Sequence, residues 1–317
     1  MKQIICTLTL LSFVITLLYG CANKEPSSYT DSKSDNKNLS VVTTLFPQYD
    51  FAKEVAGDTA NVTLLLTPGM ESHSYEPTPA DVIAINGADL FIYTGAEMEP
   101  WVPELLNSLD SHVTVLDISK NIPLDQESHD NEDHHTGDGH IHNYDPHIWT
   151  SPKNAKIMVS TIETALSKIN PQQQDYYEEN ATCYQSTLSS LDSDLEEVVK
   201  QSDKHTLVFG GRFAFHYLTR DYGLSYLSPY DSCSSETEPS VKTITSIIDY
   251  IKENNVPVIF YEELTTPTVA KVISEDTGAQ MLLLHSCHNV TKQELENHVT
   301  YESLMRQNIE NIRKGLE

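Results

Sequence analysis

The sequence predicts an α/β protein of two similar lobes, each with a parallel sheet flanked by helices, joined by one long rigid helix. Three observations carry that expectation. Before residue 170, four apolar, β-branched runs alternate with helical patterns; after residue 203 the same alternation returns; between them, after Pro171, no Gly or Pro occurs before Gly210 and the apolar residues keep a helical period. The lobes are thus assigned to residues 40–169 and 204–317, and the linking helix to 170–203.

In the first lobe the strand-like runs are 41–46, 62–66, 90–93 and 113–116, separated by helical patterns at 47–56, 78–86 and 100–109, with a further helix starting near Ser151. The linking helix opens at Asn170, a good N-cap, followed by Pro171, which tolerates the first helical position because its missing N–H would be unpaired there anyway. Tyr177, Ala181, Tyr184, Leu188, Leu191, Leu195 and Val198 recur at spacings of four and three, forming one stripe, while Glu, Asp, Ser and Gln fill the other faces. At about 1.5 Å per residue, roughly 30 residues span about 45 Å, longer than a small domain is wide. We therefore read it as a spine rather than an ordinary core helix. Beyond it, strand-like runs at 206–209, 225–227, 258–261 and 281–284 alternate with helical stretches, and a helix over 292–316 closes the chain. In open parallel sheets ligands sit beyond the carboxyl ends of the strands, so chemistry is sought in those loops.

The first twenty residues are a secretory signal: Lys2, an apolar run over 4–18, and Gly20 just before Cys21. Leu18-Tyr19-Gly20-Cys21 resembles a bacterial lipobox, which would make Cys21 the lipid-bearing first residue. Residues 22–39 are Ser, Asp, Asn and Lys with little to bury, a flexible tether. The expected location is extracytoplasmic, anchored to the membrane by lipid. The formal charge of −26 becomes −27 once Lys2 leaves with the signal, which disfavours nucleic acid and anionic ligands and favours cations. Of the remaining cysteines, a Cys233–Cys287 bridge fits an oxidising compartment, closing a loop of about 54 residues and contributing roughly 4 kcal/mol. The alternatives there are free or metal-binding thiols, and Cys183 would stand unpaired on the spine.

Four histidine clusters lie at strand ends or before helices. His73 stands in a loop stiffened by Pro68, Pro77 and Pro79 after the second strand; a rigid loop suits a metal ligand, whereas a lone loop histidine is more often a surface residue. His147 sits in Asp145-Pro146-His147-Ile148-Trp149, after a segment, 126–143, that carries His129, His134, His135, His140 and His142 among Asp, Glu and Gly. Such a segment holds divalent metals loosely, or is simply a solvated acidic loop. The third cluster is the Gly210-Gly211 turn leading to His216; without a Walker or dinucleotide pattern it is weak evidence for phosphate. The fourth is Leu284-His285-Ser286-Cys287-His288, after the last strand.

Together these residues resemble the zinc and manganese solute-binding lipoproteins of bacterial ABC importers, the ZnuA/TroA-like family, over nearly the whole mature chain. The resemblance rests on Phe46-Pro47-Gln48-Tyr49-Asp50-Phe51-Ala52, the 68–79 loop, Gly95-Ala96-Glu97-Met98-Glu99-Pro100-Trp101, and the histidine-rich segment followed by Asp145–Trp149. It implies a metal site in the interlobe cleft, ligands at His73 and His147, a permease and its ATPase as partners, a monomer, and no enzymatic activity. In the second lobe Arg212 stands where zinc members place a histidine, His216 lies one turn further on, and His285 stands where the family often has a ligating aspartate. The expected set is His73, His147, His216 and His285, with His288 or Glu262 as replacements. Neutral imidazoles suit Zn²⁺ better than Mn²⁺, which prefers carboxylate oxygens. The rival readings are a metal-binding adhesin or structural lipoprotein, and an extracellular zinc hydrolase. The hydrolase lacks a His-Glu-x-x-His helix and would need an open coordination position.

Overall fold

The computed structural model describes residues 38–72, 75–125, 144–230 and 238–317. The signal, Cys21 and most of the 22–39 tether lie outside the described residues, as do His73, the 126–143 segment with its five histidines, and Cys233.

The first sheet is built from β1 (Leu39–Thr43), β2 (Ala60–Leu64), β3 (Leu90–Tyr93) and β4 (Thr114–Asp117), parallel throughout in the order β2-β1-β3-β4. All four residues of β3 are buried, the signature of a strand covered by helices on both faces. After the spine come β5 (Thr206–Val208), β6 (Ser225–Leu227), β7 (Val258–Tyr261) and β8 (Gln280–Leu283), in two parallel pairs, β5-β6 and β7-β8. A parallel bridge between Phe209 and Phe260 joins the pairs, so the order β6-β5-β7-β8 repeats that of the first sheet. The bridge needs a residue without a side chain just beyond it: a Cβ on Gly210 would lie 2.4 Å from Ala270 Cα. This glycine therefore serves close packing.

Ten helices complete the described residues: α1 (Phe46–Ala56), α2 (Pro79–Asn86), α3 (Val102–Leu106), α4 (Pro152–Ile169), α5 (Gln174–Gln201), α6 (His216–Tyr222), α7 (Val241–Asn254), α8 (Thr268–Thr277), α9 (Lys292–Glu296) and α10 (Tyr301–Gly315). The spine is α5 with a 3₁₀ turn, Pro171–Gln173, at its start, and every residue of the expected stripe from Tyr177 to Val198 is buried. Asn170 corrects one expectation, since its side chain makes no cap bond; it ends α4 through its N–H to Leu166 O at 2.8 Å. The helix expected over 292–316 is also broken, because His298 takes φ +56° and Thr300 starts a new helix with a capping box to Ser303.

Asn38–Glu317 is one compact body, and a single core cluster runs from Val41 through the spine to Leu316. Asp50 on α1 ties three helices together inside it: Tyr184 Oη on the spine donates to its carboxylate at 3.1 Å and the Tyr301 N–H of α10 at 3.0 Å. Burial pushes this carboxyl up from 3.8 to about 7 against those hydrogen bonds. The native state then keeps a proton that the unfolded chain releases, so Asp50's contribution is full below pH 3.8 and is lost as pH rises through about 7. Asp50→Asn removes this dependence. Thermal melts should show the variant gaining on the native protein between pH 5 and pH 8, by an amount on the order of 2–4 kcal/mol. A pH-independent difference would contradict the assignment.

Candidate metal centre

Three loops from distant parts of the chain are sewn together at one place. Asn289 Nδ2 donates to Thr67 O at 2.9 Å and to Met70 O at 2.8 Å, and the Gly69 N–H donates to Val290 O at 2.8 Å. The stretch leading into His73 is thereby clamped to the turn that carries His285 and His288. A third strand of chain enters through Trp149, whose Nε1 donates to Ser286 O at 2.6 Å. Tyr301 Oη donates to Trp149 O at 2.6 Å and holds the arrangement from behind.

His147 is 2% exposed, and its environment fixes its protonation pattern. Asp145 Oδ1 accepts the His147 backbone N–H at 2.8 Å and lies 3.0 Å from Nδ1. Burial alone would raise the Asp145 carboxyl, but the charge and hydrogen bonds of His147 outweigh it and hold it below the usual carboxylate range. An ionised carboxylate only accepts, so Nδ1 carries the proton and Nε2 the lone pair that a metal needs. The Trp149 ring, edge-on at 5.5 Å, fixes the imidazole further.

At the end of β8, Glu263 organises the turn. Its Oε2 accepts the Ser286 N–H at 2.9 Å; its Oε1 accepts Ser286 Oγ at 2.5 Å and lies 3.0 Å from His288 Nδ1. Burial would raise Glu263, yet the neighbouring His285 and His288 and the Ser286 hydroxyl drive it well below the carboxylate range. His285 and His288 both have a buried Nε2 without a hydrogen-bond partner among the described residues. Backbone strain flanks the cluster, with Leu264 at φ +59° and Cys287 at φ +65°, conformations that non-glycine residues hold only where the surroundings enforce them.

Two other expected ligands, His216 and Glu262, have charged partners of their own. His216 opens α6 with Nε2 3.3 Å from Asp125 Oδ2, a carboxylate that also accepts Arg220 Nη1 at 2.5 Å. Tyr217, next to it, donates from Oη to Asp145 O at 2.8 Å, which keeps this helix beside the His147 loop. Glu262 is paired with Arg212, Nε to Oε1 at 3.1 Å, against a cavity of about 320 Å³. Cys287 is a free thiol among the described residues, and the expected bridge to Cys233 involves a residue outside them; its Sγ donates to His285 O at 3.5 Å inside the core, where burial pushes the thiol far up. Cys183 is likewise free, and exposed on the spine. Among the described residues no three His, Cys, Asp or Glu side chains stand close enough to hold a metal by themselves. Sequence reasoning missed Glu263; its position just past the carboxyl end of β7 was the available signal.

The family model described as ZnuA, zinc-uptake complex component A, periplasmic, matches residues 41–315. The chain belongs to the ZnuA family. Its relatives within the ZnuA family include the high-affinity zinc uptake system protein ZnuA of Bacillus subtilis (strain 168), 34% identical over 303 residues, covering 95% of this chain and 94% of that protein. The zinc-binding lipoprotein AdcA of Streptococcus pneumoniae (strain ATCC BAA-255 / R6) is 34% identical over 317 residues. The alignment covers 99% of this chain and only 61% of AdcA. The crystal structure of the Zn(II)-bound ZnuA-like domain of that organism's AdcA superposes with a TM-score of 0.74 at 33% identity, covering 88% of this chain and 99% of the domain.

Proposed function

We propose that this protein is the extracytoplasmic binding component of a zinc importer, taking up Zn²⁺ and handing it to a membrane permease driven by an ATPase. The observation that carries this reading is the sewing of the loop leading to His73 and of the His147 loop onto the turn whose two buried Nε2 atoms lack hydrogen-bond partners among the described residues. The ligand set is His73, His147 and an imidazole of the His285–His288 turn, with His216 a further candidate on the helix that Tyr217 holds beside the His147 loop. The named relatives support zinc, and the imidazole character of the set favours it over Mn²⁺. Residues 40–169 and 204–317 act as lobes about the spine, whose stripe is buried in the core common to both. The protein works as a monomer, without enzymatic turnover, tethered through lipid on Cys21.

Zinc binding needs deprotonated imidazoles, and free imidazole titrates near pH 6.5. Calorimetric or chelator-competition titration should find one tight zinc per chain at pH 7.5, with affinity lower by at least ~100-fold at pH 5. Equal affinity at the two pH values would overturn the histidine site.

A further inference from the structure

Resting on the zinc reading above, we propose that Glu263 is a positioning residue that makes His288 the ligand of the second half, and that His285 stays outside the coordination sphere. A neutral imidazole has one N–H and one lone pair, so whatever meets Nδ1 decides what Nε2 can do. At His288, Nδ1 lies 3.0 Å from Glu263 Oε1, which can only accept. Ser286 Oγ, having given its own proton to Glu263, presents a lone pair to the same Nδ1. The proton therefore sits on Nδ1, and the lone pair on the buried Nε2, which has no partner among the described residues.

At His285 the polarity is reversed. Its Nδ1 accepts the Cys287 backbone N–H at 2.9 Å, while Glu263 Oε1 is 3.6 Å away. The proton is thus on Nε2, and coordination through that atom would set an Nδ1–H against the Cys287 N–H. The turn cannot easily relax to avoid this. Asn308 grips the His285 backbone on both sides, accepting its N–H at 2.8 Å and donating to its carbonyl at 2.7 Å. The Cys287 φ of +65° aims the N–H, and the His288 carbonyl is taken by the Phe46 N–H at 3.2 Å. A single carboxylate and one strained peptide thereby assign opposite roles to two histidines three residues apart.

The test combines zinc affinity, read by competition with a chromophoric chelator, with imidazole ¹H–¹⁵N correlation spectra of the metal-free protein. The spectra should show Nδ1–H at His288 and Nε2–H at His285. His288→Ala should lose about 100-fold in zinc affinity or more. Glu263→Gln should lose about 10–100-fold and disturb the His288 tautomer, which a merely structural role would leave alone. His285→Asn keeps an acceptor for the Cys287 N–H, and its affinity should change by less than about threefold. A loss in His285→Asn as large as in His288→Ala, with an unchanged melting temperature, overturns the inference, as does Nδ1–H at His285. Loss in His147→Ala with none in His288→Ala overturns it too while leaving the zinc site standing. Retained affinity in His147→Ala defeats the zinc reading itself, and this inference with it.

Discussion

Zinc affinity should fall at least ~100-fold, on the order of 2.7 kcal/mol, when His147 is replaced by alanine. The expectation follows from how completely the site is prepared for that imidazole. Asp145 is itself buried, holds His147 through both backbone N–H and Nδ1, and is pinned in turn by Tyr217 Oη at its carbonyl. A ligand fixed this firmly gives up little conformational freedom on binding, so its removal deletes nearly its whole contribution. Asp145→Asn should act in the same direction but less, roughly 10–100-fold, because the amide holds the ring without polarising it. Competition against a chelator of known affinity reads both. An affinity for His147→Ala within about threefold of the native protein would place the cargo elsewhere.

The largest effect on stability is expected at Trp149. The side chain is fully buried, and its Nε1 donor crosses to Ser286 O in the opposite half of the chain. Trp149→Ala removes that packing and leaves a buried carbonyl without its donor, a loss of about 3–5 kcal/mol. For a chain of this size that corresponds to roughly 10 °C in melting temperature. Zinc affinity should fall as well, since the ring that braces His147 is gone and the two loops lose their direct tie. A melting temperature lowered by less than about 2 °C would show that the core closes over the gap and that this tie is dispensable.

The strands and the spine were legible because their signals are local: runs of β-branched residues, and a stripe with helical period, whose members from Tyr177 to Val198 are all buried. The order β2-β1-β3-β4 and its repetition as β6-β5-β7-β8 depend on pairing between distant segments, which period and propensity do not encode. The break at His298 escaped notice because Asn297-His298-Val299 contains neither Gly nor Pro; the left-handed residue instead closes the short α9, whose end is tied by the Val299 N–H to Glu294 O at 3.0 Å.

At the site, residue types were informative and partners were not. Histidines at strand ends could be picked out, but which nitrogen each presents depends on Asp145 and Glu263, the latter only one residue from the Glu262 considered as a ligand. Arg212 pairs with Glu262, whereas Glu263, in the turn just past β7, is buried against Ser286 and His288. The Cys233–Cys287 expectation came from counting thiols against compartment; burial of Cys287 behind the His285 turn was invisible to that count.

The central claim is that imidazoles from both halves of the chain meet on one cation. The most direct measurement is a crystal of the zinc-loaded protein with diffraction recorded on both sides of the zinc absorption edge. One anomalous peak at about 2.0–2.1 Å from Nε2 of His147 and of a histidine in the 285–288 turn, with His73 completing the set, is the predicted result. A peak confined to the 126–143 segment, or one held by residues of a single half, would contradict it.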